Sequence, residues 1–299
     1  MDYVTNEILK KVYPKKDEWS HKGDYGRLLV VAGSKWMTGA PVLIGLAALR
    51  GGCDVIYFIG PERSMEVVAK TYPSFISHPL KGDFLEEKHI EEILDFAFEM
   101  RITGLAIGPG LYRKDKTKKA IVKIVQNLDC PMVIDADAIR AISIAKNILK
   151  NKNVVLTPHE NEFYELTGVH LDTYLEKRAN KVKEETYKLN CDEKGICPLV
   201  PNVVMVVKGH VDIISNGREV VLNKKQFGVY ATKGGFGDTL TGICAAFLSR
   251  RKNKLDLFTA AQAATFINGK AIDLAYKKYG KGIGPLDLIE TIPLVISSK

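Results

Sequence analysis

The feature that most constrains this chain is a recurring word. A short, unbroken run of Val, Ile and Leu ends in glycines or polar residues. The runs are Arg27–Ala32, Asp54–Ile59, Gly104–Ile107, Pro131–Ile134, Asn153–Leu156 and Val203–Val207. A strand with one face in water alternates apolar and polar residues, so unbroken runs predict strands covered on both faces. Helical stretches separate most of them. In Thr38–Arg50, Thr38 can cap, Pro41 suits the first turn and Gly51-Gly52 ends the helix. This predicts an α/β fold with a mostly parallel central sheet between helix layers. Val211–Ser215 and Arg218–Leu222 flank Asn216-Gly217, a hairpin signal that predicts a small antiparallel edge. Thr239–Arg250 and roughly Asp256–Lys278 read as helices, and Asp192–Asn202 reads as a surface loop. No linker or repeat divides the chain, so one domain is expected over residues 1–299.

Charge narrows the partners. The net charge of +8 comes from 43 basic and 35 acidic residues. The lysines are scattered, as at Lys116–Lys119 and Lys277–Lys281, and form no basic stripe with interleaved aromatics. Nucleic acid is therefore not expected, whereas a phosphorylated small molecule suits the surplus. The five cysteines are Cys53, Cys130, Cys191, Cys197 and Cys244. Their odd number and mostly apolar surroundings predict reduced thiols and a cytoplasmic location. Cys191 and Cys197, flanking the loop, could form a disulfide or half of a metal site. The charged opening, Met1–Lys16, is no signal peptide, and no apolar run approaches membrane-spanning length.

In an open parallel sheet, ligands bind beyond the carboxyl ends of the strands. Gly33-Ser34, Gly108-Pro109-Gly110, Asp135 with Asp137, His159 with Glu162, and Lys208-Gly209 all fall there, which predicts one shared cleft. The strongest word is Lys233-Gly234-Gly235-Phe236-Gly237-Asp238-Thr239-Leu240-Thr241-Gly242. Its glycines allow close approach of a ligand, and the helix that follows aims its first amides at the same space. Asp238 could take a proton from a substrate hydroxyl while those amides hold a transferring phosphoryl group, or it could merely cap the helix. His159 is a candidate polar contact, or a surface histidine before a helix. Glu162 could hold a water on Mg²⁺, or could simply favour a helix start. Asp135 and Asp137 carry the same alternatives, with Asp137 the better candidate for a cap. Lys208 could meet a nucleotide phosphate, the following hairpin could wall the adenosine, and Thr38-Gly39-Ala40-Pro41 could admit a second ligand.

Together these words resemble the ribokinase-like superfamily, and within it the ADP- or ATP-dependent NAD(P)H-hydrate dehydratases. The matching words are His21–Ser34, Thr38–Pro41, Ala47–Arg50, Gly108–Leu111, Val133–Ala138, Thr157-Pro158-His159 and Gly235–Gly242. The resemblance runs from about His21 to Ile289 and implies a three-layer ribokinase-like fold. It also implies repair of the S epimer of hydrated NADH or NADPH, through phosphorylation by ADP or ATP with Mg²⁺ and loss of phosphate. By that resemblance Asp238 is the base, and Gly235, Phe236 and Gly237 form the anion hole. Ala40, Gly108, Gly110 and His159 would contact the hydrated dinucleotide. Lys208, Gly209, His210, Val211, Asp212 and Gly237 would line the nucleotide site. A homo-oligomer is implied as well. The chain departs from the family pattern where Tyr112 and Asn161 replace glycines, where Phe236 replaces threonine, and across Gly228–Thr232. The same aspartate would also serve a ribokinase-like kinase acting on a sugar, nucleoside or vitamin precursor.

Overall fold

The computed structural model describes residues 1–192 and 194–298. In chain order the elements are β1 (Asp2–Tyr3), α1 (Glu7–Val12), β2 (Arg27–Val31), α2 (Gly39–Arg50), β3 (Val55–Pro61), α3 (Glu62–Thr71), β4 (Ile76–Leu80), α4 (Ile90–Glu99), β5 (Gly104–Ile107) and α5 (Asp115–Asn127). They continue as β6 (Met132–Ile134), α6 (Asp137–Ser143), β7 (Val154–Leu156), α7 (Glu160–Thr167), α8 (Leu175–Asn190), β8 (Val203–Val207), β9 (Val211–Ser215), β10 (Val220–Lys224), α9 (Phe236–Leu248), α10 (Leu257–Tyr279) and α11 (Pro285–Ser297).

The strands form one sheet in the order β1-β10-β9-β8-β7-β6-β5-β2-β3-β4. Among the described strands only β9 runs against the others, being antiparallel to both β8 and β10. The parallel core is what the unbroken apolar runs require. Successive strand residues point to opposite faces. Leu28 and Val30 pack with α2, α9 and α10 on one side, while Leu29 and Val31 pack with α5 and α6 on the other. Each run thus feeds two cores and has no polar face. Sheet order reverses between β2 and β5, the place where such folds open a crevice.

Several expectations shift. The hairpin loop spans Asn216–Glu219 and not the dipeptide alone. Asn216 Oδ1 accepts from the amides of Arg218 and Glu219, so β10 starts at Val220. Strands β1 and β4 carry no Val-rich run, and they lie at the two sheet edges, where one flank stays unpaired. Thr38 precedes α2 but makes no side-chain cap bond. Helix α9 begins three residues earlier than expected, at Phe236, and ends at Leu248. Cys191 and Cys197 form a disulfide, which corrects the expectation of reduced thiols for this pair; Cys53, Cys130 and Cys244 are free. The pairing follows from the chain leaving α8 and folding straight back, with the two Cα atoms 4.1 Å apart. Within the loop expected over Asp192–Asn202, residue 193 lies outside the described residues, as does residue 299.

Candidate active site

Strand ends β5, β6, β7 and β8 lie side by side. Backbone bonds tie them in a row: Asp135 N to Ile107 O (3.1 Å), Thr157 N to Ile134 O (3.2 Å) and Lys208 N to Pro158 O (2.9 Å). This row holds Asp135, Thr157 and Lys208 over the start of α9. Lys208 Nζ lies 2.7 Å from Asp135 Oδ1, and the Thr241 hydroxyl donates to Asp135 Oδ2 at 2.8 Å. Asp135 is buried, which opposes its charge. The Lys208 ammonium and the hydrogen bonds nevertheless hold its carboxyl below the usual carboxylate range. Burial likewise opposes the charge on Lys208, but Asp135 and then Glu162 keep its ammonium above the ordinary lysine value. Lys208 is therefore no solvent-facing strand-end lysine. It is a paired cation at the cleft floor.

Asp238 lies beside this pair. Gly235 is the N-cap of α9, at φ +99°, so Asp238 is the third helical residue and is not the cap. The first amides of a helix have no acceptor within it. Here, among the described residues, no side chain caps them either. The amides of Phe236, Gly237 and Asp238 are thus left for something else. Burial first, and then the charge of Asp135, push the Asp238 carboxyl up to about 7, against a smaller lowering by Lys208. The half-buried Asp238 is thereby set to exchange a proton near neutrality.

The cleft beyond Gly237 is about 430 Å³ and is lined by His159, Lys208, Gly209, His210, Asp212, Lys225 and Phe236 among others. Asp212 is buried and committed: Lys225 Nζ lies 2.6 Å from it, Asn223 Nδ2 3.3 Å, and the Gly209 amide donates to it at 3.0 Å. It shapes the turn at Gly209-His210 and so fixes that wall. His159 is the N-cap of α7: its Nδ1 accepts from Glu162 N (3.2 Å), and Glu162 Oε2 accepts from His159 N (2.9 Å). Its other ring nitrogen lies on a half-exposed side chain. Glu162 is buried, 3.6 Å from Arg140 and 4.0 Å from Lys208. Asp137 caps nothing in its own helix. It accepts from the Tyr112 amide at 2.9 Å and sits near Arg140 and Arg113.

A second arm of the site lies at the start of α2. A side chain on Gly110 would meet Met37 and Ala40 at 2.9 and 3.3 Å, so Ala40 and Gly110 are neighbours. One turn along, Leu43 lies against Gly235, which joins this arm to the first turn of α9. Gly108 is different. A side chain there would strike the Asp135 carbonyl at 1.8 Å, so close contact between β5 and β6 by itself demands a glycine. Of the departures from the family pattern, Tyr112 has φ +75°, the conformation a glycine would favour. Asn161 lies inside α7 and needs no glycine, and Phe236 is buried in the core beneath the amides. Lys225 escaped the sequence reading, and Thr241 stood in the glycine word without a role. That role could have been found, since three residues after Asp238 on a helix is the same face.

Comparison with known proteins places the chain in a family. The family model described as NAD(P)H-hydrate dehydratase matches residues 28–294. The bifunctional NAD(P)H-hydrate repair enzyme Nnr of Pyrobaculum aerophilum is 38% identical over 93% of this chain and 52% of its own length. The ADP-dependent (S)-NAD(P)H-hydrate dehydratase of Nitrosopumilus maritimus is 33% identical over 98% of this chain and 96% of its own. The chain therefore spans about half the length of the bifunctional relatives and nearly all of the shorter one. The crystal structure of ADP/ATP-dependent NAD(P)H-hydrate dehydratase from Bacillus subtilis, co-crystallized with ATP/Mg²⁺, superposes with a TM-score of 0.78 at 28% identity, covering 99% of this chain and 98% of that one. With this three-layer, ribokinase-like fold, and with the family model matched over most of its length, the chain belongs to the NAD(P)H-hydrate dehydratase family.

Proposed function

We propose that the protein uses ADP or ATP to convert the S epimer of hydrated NADH or NADPH back to the dihydronicotinamide. The nucleotide supplies a phosphoryl group to the ring hydroxyl, and Asp238 takes the hydroxyl proton. Phosphate then leaves with that oxygen, and loss of a proton from the neighbouring ring carbon restores the double bond. The observation that carries this reading is a carboxyl brought to about 7 in the same helical turn as three uncapped amides. A base works best with a pKa near the working pH, and fixed amides hold a developing phosphoryl charge without reorganising. Lys208 would keep the cleft floor positive, and Gly209, His210, Val211 and Asp212 would wall the nucleotide. Ala40, Gly110 and His159 would contact the hydrated dinucleotide, with Gly108 supporting Gly110 from behind.

The uncapped amides and the adjoining cleft fit a nucleotide phosphate. The described residues offer no group of three or more His, Cys, Asp or Glu placed for a metal ion. Mg²⁺ needs few protein ligands when phosphates supply the rest, so it would arrive on the nucleotide. Glu162 could act on it through water, though its carboxylate already accepts from His159 N.

The test is to supply hydrated NADH, Mg²⁺ and ADP or ATP, and to follow recovery of dihydronicotinamide absorbance. Recovery is expected; its absence with both nucleotides overturns the reading. The names of the relatives do not favour the kinase alternative. The proposal takes the enzyme as a cytoplasmic homo-oligomer that acts on small molecules, without nucleic-acid or membrane partners. No described helix is long and apolar enough to cross a membrane.

A further inference from the structure

At the rim of the second arm stands an aromatic group that the chemistry above leaves unused. Trp36 lies 5.3 Å from Phe84 and 5.3 Å from Tyr112, edge-to-face on both, and Phe84 lies 5.2 Å from Tyr112. Phe84 is buried and anchors the group, while Trp36 is 60% exposed. The segment is held in place: Lys35 N donates to Asp83 O at 2.9 Å, and Lys35 Nζ lies 2.8 Å from the Asp83 carboxylate. Tyr112 is fixed by the hydrogen bond its amide donates to the Asp137 carboxylate, and its φ is positive. A large apolar ring held rigid by two others, with most of its surface in water, is how proteins present a stacking platform. Lys35, Arg113 and Lys114 stand around it, with Lys114 Nζ 3.7 Å over the Phe84 ring. The platform adjoins the site directly, since Met37 next to Trp36 touches Gly110.

We propose that Trp36 and Tyr112 stack the adenine ring of the hydrated dinucleotide, with the nearby cations taking its phosphates. The inference rests on the function proposed above and adds to it the half of the substrate that is gripped. Two arguments choose adenine. The reacting hydroxyl on the nicotinamide side must reach Asp238, and the platform lies at the other end of the arm, beyond Ala40 and Gly110. A hydrated nicotinamide ring is also no longer planar and aromatic, whereas adenine is, and stacking needs a flat π-face. Tyr112 stands where the family pattern has glycine, so the platform is a feature of this chain's own sequence.

The chain has two tryptophans, Trp19 and Trp36. Trp19 is 81% exposed and far from this network in sequence, so Trp19→Phe leaves Trp36 as the sole indole reporter. The Trp19→Phe protein is saturated with ADP, to fill the nucleotide cleft, and then titrated with NAD⁺ or with nicotinamide mononucleotide. A saturable change in Trp36 emission with NAD⁺ and none with the mononucleotide is expected. No change with NAD⁺, or the same change with both, overturns the proposal. In turnover, Trp36→Ala is expected to raise KM for hydrated NADH about tenfold or more with kcat held within about twofold, and Trp36→Phe to restore most of the loss. An unchanged KM in Trp36→Ala, with the parent active, also overturns it. If the parent fails on hydrated NADH, the function proposed above falls, and the fluorescence titration still decides the platform.

Discussion

The two ends of α9 are built by opposite rules. At the start, Gly235 is the cap, no side chain closes the first amides among the described residues, and Asp238 is half-buried with its carboxyl pushed up to about 7. At the finish, Leu248, Ser249 and Arg250 are buried and their polar groups are largely spent. The Ser249 hydroxyl donates to Ala246 O at 3.0 Å, and its carbonyl accepts from the Thr103 hydroxyl. Arg250 donates to Val12 O and lies over the rings of Phe247 and Tyr13. The larger cavity is at this finished end: about 690 Å³ lined by Leu94, Phe98, Leu128 and Leu255 among others, against about 430 Å³ beside Asp238. It holds no carboxyl of raised pKa. Volume alone thus does not single out the candidate site; a half-buried carboxyl of raised pKa beside open helix amides does.

Breaking the open end should have the largest effect. Asp238→Asn is expected to lower kcat by about 10³-fold while nucleotide binding, read by calorimetry, persists. If turnover survives, the first turn of α9 is only a helix start and the contrast disappears. Next is the pair beneath it. Asp135→Asn leaves the half-buried Lys208 without its main partner, which should cost about 3 kcal/mol in denaturant unfolding. Burial keeps raising Asp238, but the same change removes the second cause, the Asp135 charge, so the acid limb of the rate profile should move below pH 7.

The pH dependence is a third and smaller handle. A base with pKa about 7 predicts that kcat/KM falls about tenfold per pH unit below 7 and levels above it. The stability sign is the reverse. The folded Asp238 keeps its proton to about 7, whereas the ordinary value is 3.8, so its contribution is complete below 3.8 and is lost as pH rises through 7. Asp238→Asn should therefore melt higher than the parent above pH 7 and close to it at pH 4. A flat difference across that range would remove the basis for the raised carboxyl. The smallest change sharpens the closed end: Ser249→Ala should cost about 1 kcal/mol and leave kcat within twofold.

How much the sequence disclosed depended on the kind of signal. The two-faced runs such as Leu28–Val31 and Val203–Val207 were legible because burial on both sides forces continuous apolar residues. The edge strand Ile76–Leu80 was not, since an edge partnered on one flank carries no such demand. The glycine word before Asp238 announced a ligand-facing helix start, yet its register was misplaced by three residues. At Gly108 the sequence did not disclose that packing against the Asp135 carbonyl alone requires a glycine, because that contact joins two separate strand ends.

By itself the sequence determined the three-layer parallel sheet and the family, because both are written in local runs and words that need no partner to be read. Only the tertiary structure decided that Lys208 and Asp135 pair, that Thr241 completes the pair and that burial first, and then their charges, set Asp238. Asp135 and Lys208 lie 73 residues apart in the chain. A proton affinity is fixed by which charges surround a group and how little water reaches it, and those are properties of the assembled strand ends.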